Sequence, residues 1–326
     1  MKFFWLSFLH DTNNSIMKNN GRNSAINDSL SISVVIPTYN RESVLVETVQ
    51  QVLDQCPSAD EVLVVDQTNH HEAETELFLG KAHGERKLRW IRHNPPNLNK
   101  ARNRALVETH CEIAIFIDDD VVLCEKFIDN HRKNYMDPGV IAVAGRTLQA
   151  RGNTPAEKAS PWLKFLGVSV LAFNEVSRLE GIASFIGANH SVRVSHILEL
   201  GGYDENFDGP MYDEADLALR MWKAKMKIVF DPEAELYHLQ ENSGGVREKA
   251  GANRHPEWWW SYSAVYFHWK HFFPHIYFWK MICFKYFRNS VLRKDNILHP
   301  WRLPWAGISY GISIAKTCLN IYGHNN

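Results

Sequence analysis

Two successive cycles of a short Val- and Ile-rich run and a helix-length stretch constrain this chain more than any other feature. Ser31 to Ile36 and Glu61 to Val65 predict buried strands, being brief, branched and bounded by polar or Pro punctuation. Between them, Glu42 to Gln55 places Val44, Leu45, Val49, Val52 and Leu53 near the spacing of one helix face. Strand, helix and strand within about 35 residues form a βαβ unit, whose strands must be parallel and whose crossover is right-handed. A second cycle follows, with strands at Leu88–Ile91 and Ile113–Ile117 around a helix at Asn99–Thr109. The expected fold class is α/β, a Rossmann-like, mostly parallel sheet flanked by helices. In such sheets ligands bind beyond the carboxyl ends of the strands, so polar residues directly after strands mark the chemistry. Neither a G-x-G-x-x-G nor a G-x-x-x-x-G-K-[ST] loop is present, which weakens the dinucleotide and P-loop readings.

The strand ends are polar in three places. Pro37-Thr38-Tyr39-Asn40-Arg41 follows the first strand, Asp66-Gln67-Thr68 the second, and Asp118-Asp119-Asp120 the fourth. Any one of these alone reads as a turn or a helix cap. Three consecutive carboxylates at the mouth of a sheet are different, because they repel and raise each other's pKa unless a cation neutralises them. A divalent ion with oxygen ligands, Mn²⁺ or Mg²⁺, resolves this and would in turn hold phosphates. By register Asp120 is the best metal ligand, with Asp118 facing ribose or metal and Asp119 supporting or sharing the role.

Val34 to Arg41, Val64-Val65-Asp66, Ala101-Arg102-Asn103 and Phe116 to Asp120 together resemble the successive signatures of family 2 inverting glycosyltransferases with the GT-A fold. Gly187-Ala188-Asn189, Leu200 to Glu205 and Asp213 to Arg220 continue the match in order, so the resemblance covers roughly residues 31 to 245. Many members carry a second acid and Gly-Ser where this chain has Gln67-Thr68. The resemblance implies that Thr38 and Asp66 contact the nucleotide base and that Arg102 lies near the nucleotide. It makes Asp118 to Asp120 the D-x-D element. Pro37, Tyr39, Arg41 and Asn189, inside the matching motifs, join the donor-binding set. Arg102, with Lys100 and Arg104 on one helix, reads otherwise as part of a solvated face. In the family's E-D-x-D pattern the second acid is the base, which is Glu214 here, with Asp213 second. On a helix, Asp213 and Asp216 would share one face and Glu214 would point elsewhere, and all three acids would favour the helix dipole in any case. His238 closes the segment where GT-A enzymes bring a third metal ligand. The loop Ser243 to Arg247 is placed to close over the donor diphosphate, with Arg247 as charge partner.

Composition adds the rest. The chain has 326 residues with 36 Lys plus Arg against 37 Asp plus Glu, a net charge of -1, which argues against nucleic acid as a partner. Five scattered Cys without a C-x-x-C pair indicate neither a disulfide framework nor a thiolate zinc site, and favour a reducing compartment. Residues 1–30, with an apolar run at Phe3–Leu9 too short to span a bilayer and a polar Asn- and Ser-rich stretch after it, are expected to be disordered. Residues 251–326 hold seven of the eleven Trp and nine Lys plus Arg against two acids, a local net of +7 that leaves -8 on the remainder. This basic, aromatic, helical region, following a catalytic domain at 31–250, is expected to meet an anionic membrane surface without spanning it, or to bury its aromatics on the core, or both on different faces. The whole reads as a metal-dependent glycosyltransferase moving a sugar from a nucleotide-diphosphate donor to a glycan or lipid-linked acceptor, cytoplasmic and peripheral on the inner face of the cell membrane. A sugar-nucleotide nucleotidyltransferase and a catalytically silent, membrane-associated nucleotide-sugar binder are the alternatives.

Overall fold

The computed structural model describes residues 30–150, 173–207, 212–241, 243–245, 257–273, 276–281, 283, 287–292 and 294–323. Arg247 and residues 1–29 of the expected disordered segment lie outside them, as do residues 151–172.

Four strands, β1 (Ile32–Thr38), β2 (Glu61–Asp66), β3 (Arg89–Arg92) and β4 (Ile113–Ile117), lie side by side in the order β3-β2-β1-β4 within a nine-stranded sheet. All three pairings are parallel. The connecting helices are α1 (Ser43–Leu53), α2 (Ala73–Gly84) and α3 (Leu98–Glu108). Every residue of β1 and β4 is buried, because helices cover both faces of this half of the sheet. Ile32, Val34 and Ile36 pack with Leu45, Val49 and Val52 of α1 on one face. Val35, pointing the other way, packs with Ala101 and Ala105 of α3.

The second half of the sheet comprises β5 (Val121–Leu123), β6 (Val140–Gln149), β7 (Leu179–Glu180), β8 (Asn189–Arg193) and β9 (Lys227–His238). β8 enters antiparallel between β4 and β6, and β5 and β7 pair antiparallel with β9, while β6 and β9 are parallel. The parallel expectation thus describes the first four strands, and the sheet as a whole is mixed. Strand β9 runs from Lys227 through Pro232 to His238. Proline cannot donate to a ladder, and a register shift between Gly145 and Arg146 of β6 lets the partner strand pass it.

Helices α4 (Phe127–Arg132), α5 (Val194–Glu199) and α6 (Asp213–Lys223) complete this part of the molecule. The C-terminal region is helical, as expected: α7 (Glu257–Phe272), α8 (Ile276–Lys280), α9 (Phe287–Ser290), α10 (Lys294–Leu298) and α11 (Leu303–Gly323). Tyr262, Tyr266 and Phe267 of α7 bury themselves with Phe207 and Leu219 of the α6 region. Ala264 and Val265 of α7 pack with Ala306 and Tyr310 of α11. Among the described residues no helix is long and apolar enough to cross a membrane.

Candidate active site

The order β3-β2-β1-β4 reverses its direction of growth at β1, which opens a crevice past the ends of β1 and β4. Parallel register places Thr38 beside Asp66 and Val35 beside Phe116, so three residues further on Thr38 meets Asp119. The Thr38 hydroxyl donates to Asp119 Oδ2 at 2.7 Å. Arg41 completes the floor, with Nε 3.2 Å from Asp119 and a terminal nitrogen 3.0 Å from Asp120. Another Arg41 nitrogen donates to the Ser243 carbonyl, and the Gly245 amide donates to the Tyr39 carbonyl at 2.6 Å, docking the 243–245 segment here. Burial pushes the Asp119 carboxyl up to about 7 against the pull of Arg41.

The antiparallel pairing of β5 with β9 sets Val121 opposite His238, and this carries the imidazole to the acidic turn. His238 Nε2 lies 3.1 Å from Asp120 and 3.5 Å from Asp118. One ligand atom from each of Asp118, Asp120 and His238 falls within 4.8 Å of the others. Two carboxylates and an imidazole suit Mn²⁺ or Mg²⁺ chemically, the imidazole favouring Mn²⁺. Burial raises Asp118, and the charge of Asp120 adds to the rise. Burial also acts to raise Asp120, but the hydrogen bond and charge of His238, with Arg41, outweigh it and hold that carboxylate below its usual range.

A second charged cluster faces the same crevice. Arg102 is no part of a solvated helix face: it is 1% exposed, donates to Asp213 at 2.7 Å and lies 3.6 Å from Glu214. The expected pairing of faces on α6 is also corrected. Asp213 and Glu214 converge on Arg102, whereas Asp216 turns to α7, where Lys270 and His271 each lie 2.8 Å away. The first turn of a helix splays its side chains, and a buried guanidinium between two acids overrides simple helical spacing. Burial and the charge of Glu214 push Asp213 well above the ordinary carboxylate range. For Glu214 burial acts upward too, but Asp213 and Arg102 outweigh it and hold it low. Gly187 is needed by close approach: a Cβ there would sit 2.1 Å from Glu214 Oε1 and 2.3 Å from an Arg102 nitrogen. Arg102 and Glu214 are near enough for their charges to act on Asp118, which ties the two clusters together.

Asp66 is fully buried, and its Oδ2 accepts from His71, Trp90 and Arg92, each at 2.9 Å. The Thr68 amide donates to Oδ1 at 2.8 Å. Asp66 therefore anchors the crevice rim and presents no open oxygen in this arrangement. His71 also reaches Glu42, 3.1 Å away, and although burial opposes protonation, the two carboxylates raise its pKa. His71, Trp90, Arg92 and Glu42 escaped the sequence reading, since they lie off the strand ends and follow no motif. Pro37 is a buried residue of β1 paired with Val65, and Tyr39 is half-buried just beyond. Asn189 is fully buried, its amide donating to the carbonyls of Arg146 and Ala234 at 2.9 Å while Oδ1 meets His131 at 3.0 Å. Its polar atoms tie β8 to β6, β9 and α4. A separate cavity of about 860 Å³ opens at the other end of the strands, lined by Leu53, Val62, Phe78 and Leu88 among others, and none of the expected site residues reaches it.

The profile of the Glycosyl transferase family 2 matches residues 33–196. The chain is 26% identical over 199 residues to the GalNAc(5)-diNAcBac-PP-undecaprenol beta-1,3-glucosyltransferase of Campylobacter jejuni, covering 60% of each protein. It is 24% identical over 213 residues to the O-antigen chain rhamnosyltransferase RfbN of Salmonella typhimurium, covering 64% of this chain and 66% of the relative. Across curated relatives, the matched region spans 25% to 66% of their length. Among solved structures, the mannosyltransferase PcManGT of Pyrobaculum calidifontis, in complex with GDP-Man and Mn²⁺, superposes with a TM-score of 0.53 at 18% identity, covering 92% of this chain and 81% of that one.

Proposed function

Since this chain belongs to glycosyl transferase family 2, we propose that it moves a sugar, with inversion at the anomeric carbon, from a nucleoside-diphosphate donor to an acceptor hydroxyl. One observation carries the reading. A carboxylate held beside a buried arginine, Glu214 next to Arg102, faces a crevice whose other wall holds the Asp118, Asp120 and His238 cluster. Glu214 accepts the proton of the acceptor hydroxyl as that oxygen attacks the anomeric carbon. The bond from that carbon to the diphosphate oxygen breaks on the opposite face, and the diphosphate leaves with the electron pair. Arg102 fixes the orientation of Glu214 and of Asp213 beside it. Asp118, Asp120 and His238 would hold Mn²⁺ or Mg²⁺, whose chemistry there is to neutralise diphosphate charge. Thr38 and Arg41 hold the acidic turn in place from below. The polyprenyl diphosphate in the name of the Campylobacter relative supports a lipid-linked glycan as acceptor class.

The test is turnover of a panel of nucleotide sugars. Glu214→Gln is expected to lower kcat by about 10²- to 10⁴-fold with donor affinity little changed, and a chelator is expected to stop the wild-type reaction. A crippled Asp213→Asn beside a mild Glu214→Gln would move the base one residue back, and donor binding without any turnover would favour a silent binder.

A further inference from the structure

Helix α11 is built inside out. The face it turns to α7 carries Ala306, Tyr310, Ser313 and Thr317, all buried. Two of those hydroxyls bond back into their own helix, Ser313 to the Ser309 carbonyl at 3.0 Å and Thr317 to the Ser313 carbonyl at 2.9 Å. Even Lys316 turns back, its ammonium lying 4.5 Å from the centre of the Tyr262 ring. The outward face shows Trp305, Ile308, Ile312 and Leu319, each more than half exposed. At a helical turn per 3.6 residues these four share one stripe about 60° wide and about 21 Å long. No exposed side chain on α11 between 303 and 319 is charged, amide or hydroxyl. The approach to the helix continues in kind, with Ile297, Leu298 and Trp301 also more than half exposed. Water-facing apolar surface of this extent marks a docking site.

Charge selects the occupant. Residues 251–326 carry a net of +7, and Lys280, Arg288, Lys294 and Arg302 are exposed among the same short helices. A second copy would bring a like-charged surface to this face, whereas an anionic leaflet complements it, with Trp at the headgroup level and cations against lipid phosphates. The flank of α11 is held by α7, so the helix cannot leave the protein to stand upright in a bilayer. We infer that α11 lies in the plane of an anionic bilayer surface, its Trp305, Ile308, Ile312 and Leu319 stripe sunk among the acyl chains. This deepens the glycosyltransferase reading and rests on it for the acceptor. On its other side α7 grips α6 through Lys270 and His271 on Asp216, so one helix separates the bilayer from the helix that bears Glu214. A lipid-linked hydroxyl would reach the base from that side.

The experiment is flotation of the full chain with phosphatidylglycerol or phosphatidylcholine vesicles at increasing salt, with quenching of Trp emission by brominated acyl chains as a second readout. Binding to phosphatidylglycerol, weakened by salt, with quenched emission is expected. Ile308→Glu with Ile312→Glu should weaken binding by at least about 100-fold while leaving the melting temperature and transfer to a water-soluble acceptor unchanged. Wild-type protein that floats with neither lipid, or a double variant that floats like the wild type, overturns the inference. So does a concentration-dependent dimer that the double substitution dissociates, which would assign the stripe to a second copy. Loss of transfer to the soluble acceptor in the wild type would instead sink the catalytic reading and leave the vesicle result standing.

Discussion

Arg102 holds two acids on one buried guanidinium, and the pairing draws its strength from exclusion of water, which Gly187 permits by lacking a side chain. Burial acts the other way on His131. Its Nε2 donates to Asn189 Oδ1 at 3.0 Å, and Nδ1 accepts from Ser191, 2.9 Å away, whose oxygen takes the Tyr135 hydroxyl proton at 2.8 Å. This chain of bonds is complete only for a neutral imidazole, and burial pulls the His131 pKa down to about 4. The unfolded chain takes up the proton near the ordinary value of about 6.5. Stability is therefore full above that pH and falls as pH drops toward 4, by up to about 3 kcal/mol from this residue. Urea melts at several pH values should show that slope, and His131→Gln should remove its share of it; His190, His93 and His271, also lowered by burial, act in the same direction. A His131→Gln slope equal to the wild type would show the imidazole to be reached by solvent. None of this was legible in the sequence, where His131 belongs to no motif. Asp118 and Asp120 could be singled out because strand ends concentrate chemistry, and His238 only through the family resemblance; the fold brings ligand atoms of the three within 4.8 Å of one another. The burial of Arg102 was not legible, since Lys100 and Arg104 beside it give α3 the look of a solvated face.

α6 faces two ways, presenting Asp213 and Glu214 to the crevice and Asp216 to α7. Asp216 is fully buried, and Arg220, Lys270 and His271 each approach it within 2.8 Å. Burial alone would raise its pKa, but these three partners hold it far below the ordinary carboxylate range. The stability it contributes is present above the unfolded Asp value and is lost only in strong acid. Asp216→Asn leaves Lys270 and Arg220 facing a neutral amide and is expected to cost about 3 kcal/mol, read as a lowered denaturation midpoint with Glu214-dependent turnover falling in parallel. Wild-type stability in that variant would mean that α6 and α7 are held by their aromatics alone. At this scale β1, β2, β4, α1 and α3 were readable because both faces of each strand are covered and each helix keeps a buried stripe. α2 was not, as only Thr75, Leu79 and Ala82 are buried among its charges. The antiparallel entry of β8 between β4 and β6 depends on contacts across the whole chain and leaves no local trace.

For the molecule as a whole, the aromatic tail is both scaffold and surface. Tyr262 donates to the Asn206 carbonyl and Tyr266 to Asp204, both at 3.0 Å, and with Phe267 they seal Phe207 and Leu219. A chain ending at residue 256 strips that cover and leaves Asp216 with Arg220 as its remaining cation among those named above. It is expected to aggregate or to melt without a cooperative transition, as followed by circular dichroism. A truncated chain that melts like the full one would show α7 to be an appendage. The pairing of β5 with β9 has a consequence in time. Asp118 and Asp120 leave the ribosome with the first half of the sheet, whereas His238 arrives on the order of a hundred residues later, a delay on the order of ten seconds at ordinary rates of synthesis. The parallel half of the sheet thus has time to form while its acidic turn still lacks the imidazole, and the crevice acquires its full set of ligands only when the last strand is laid down.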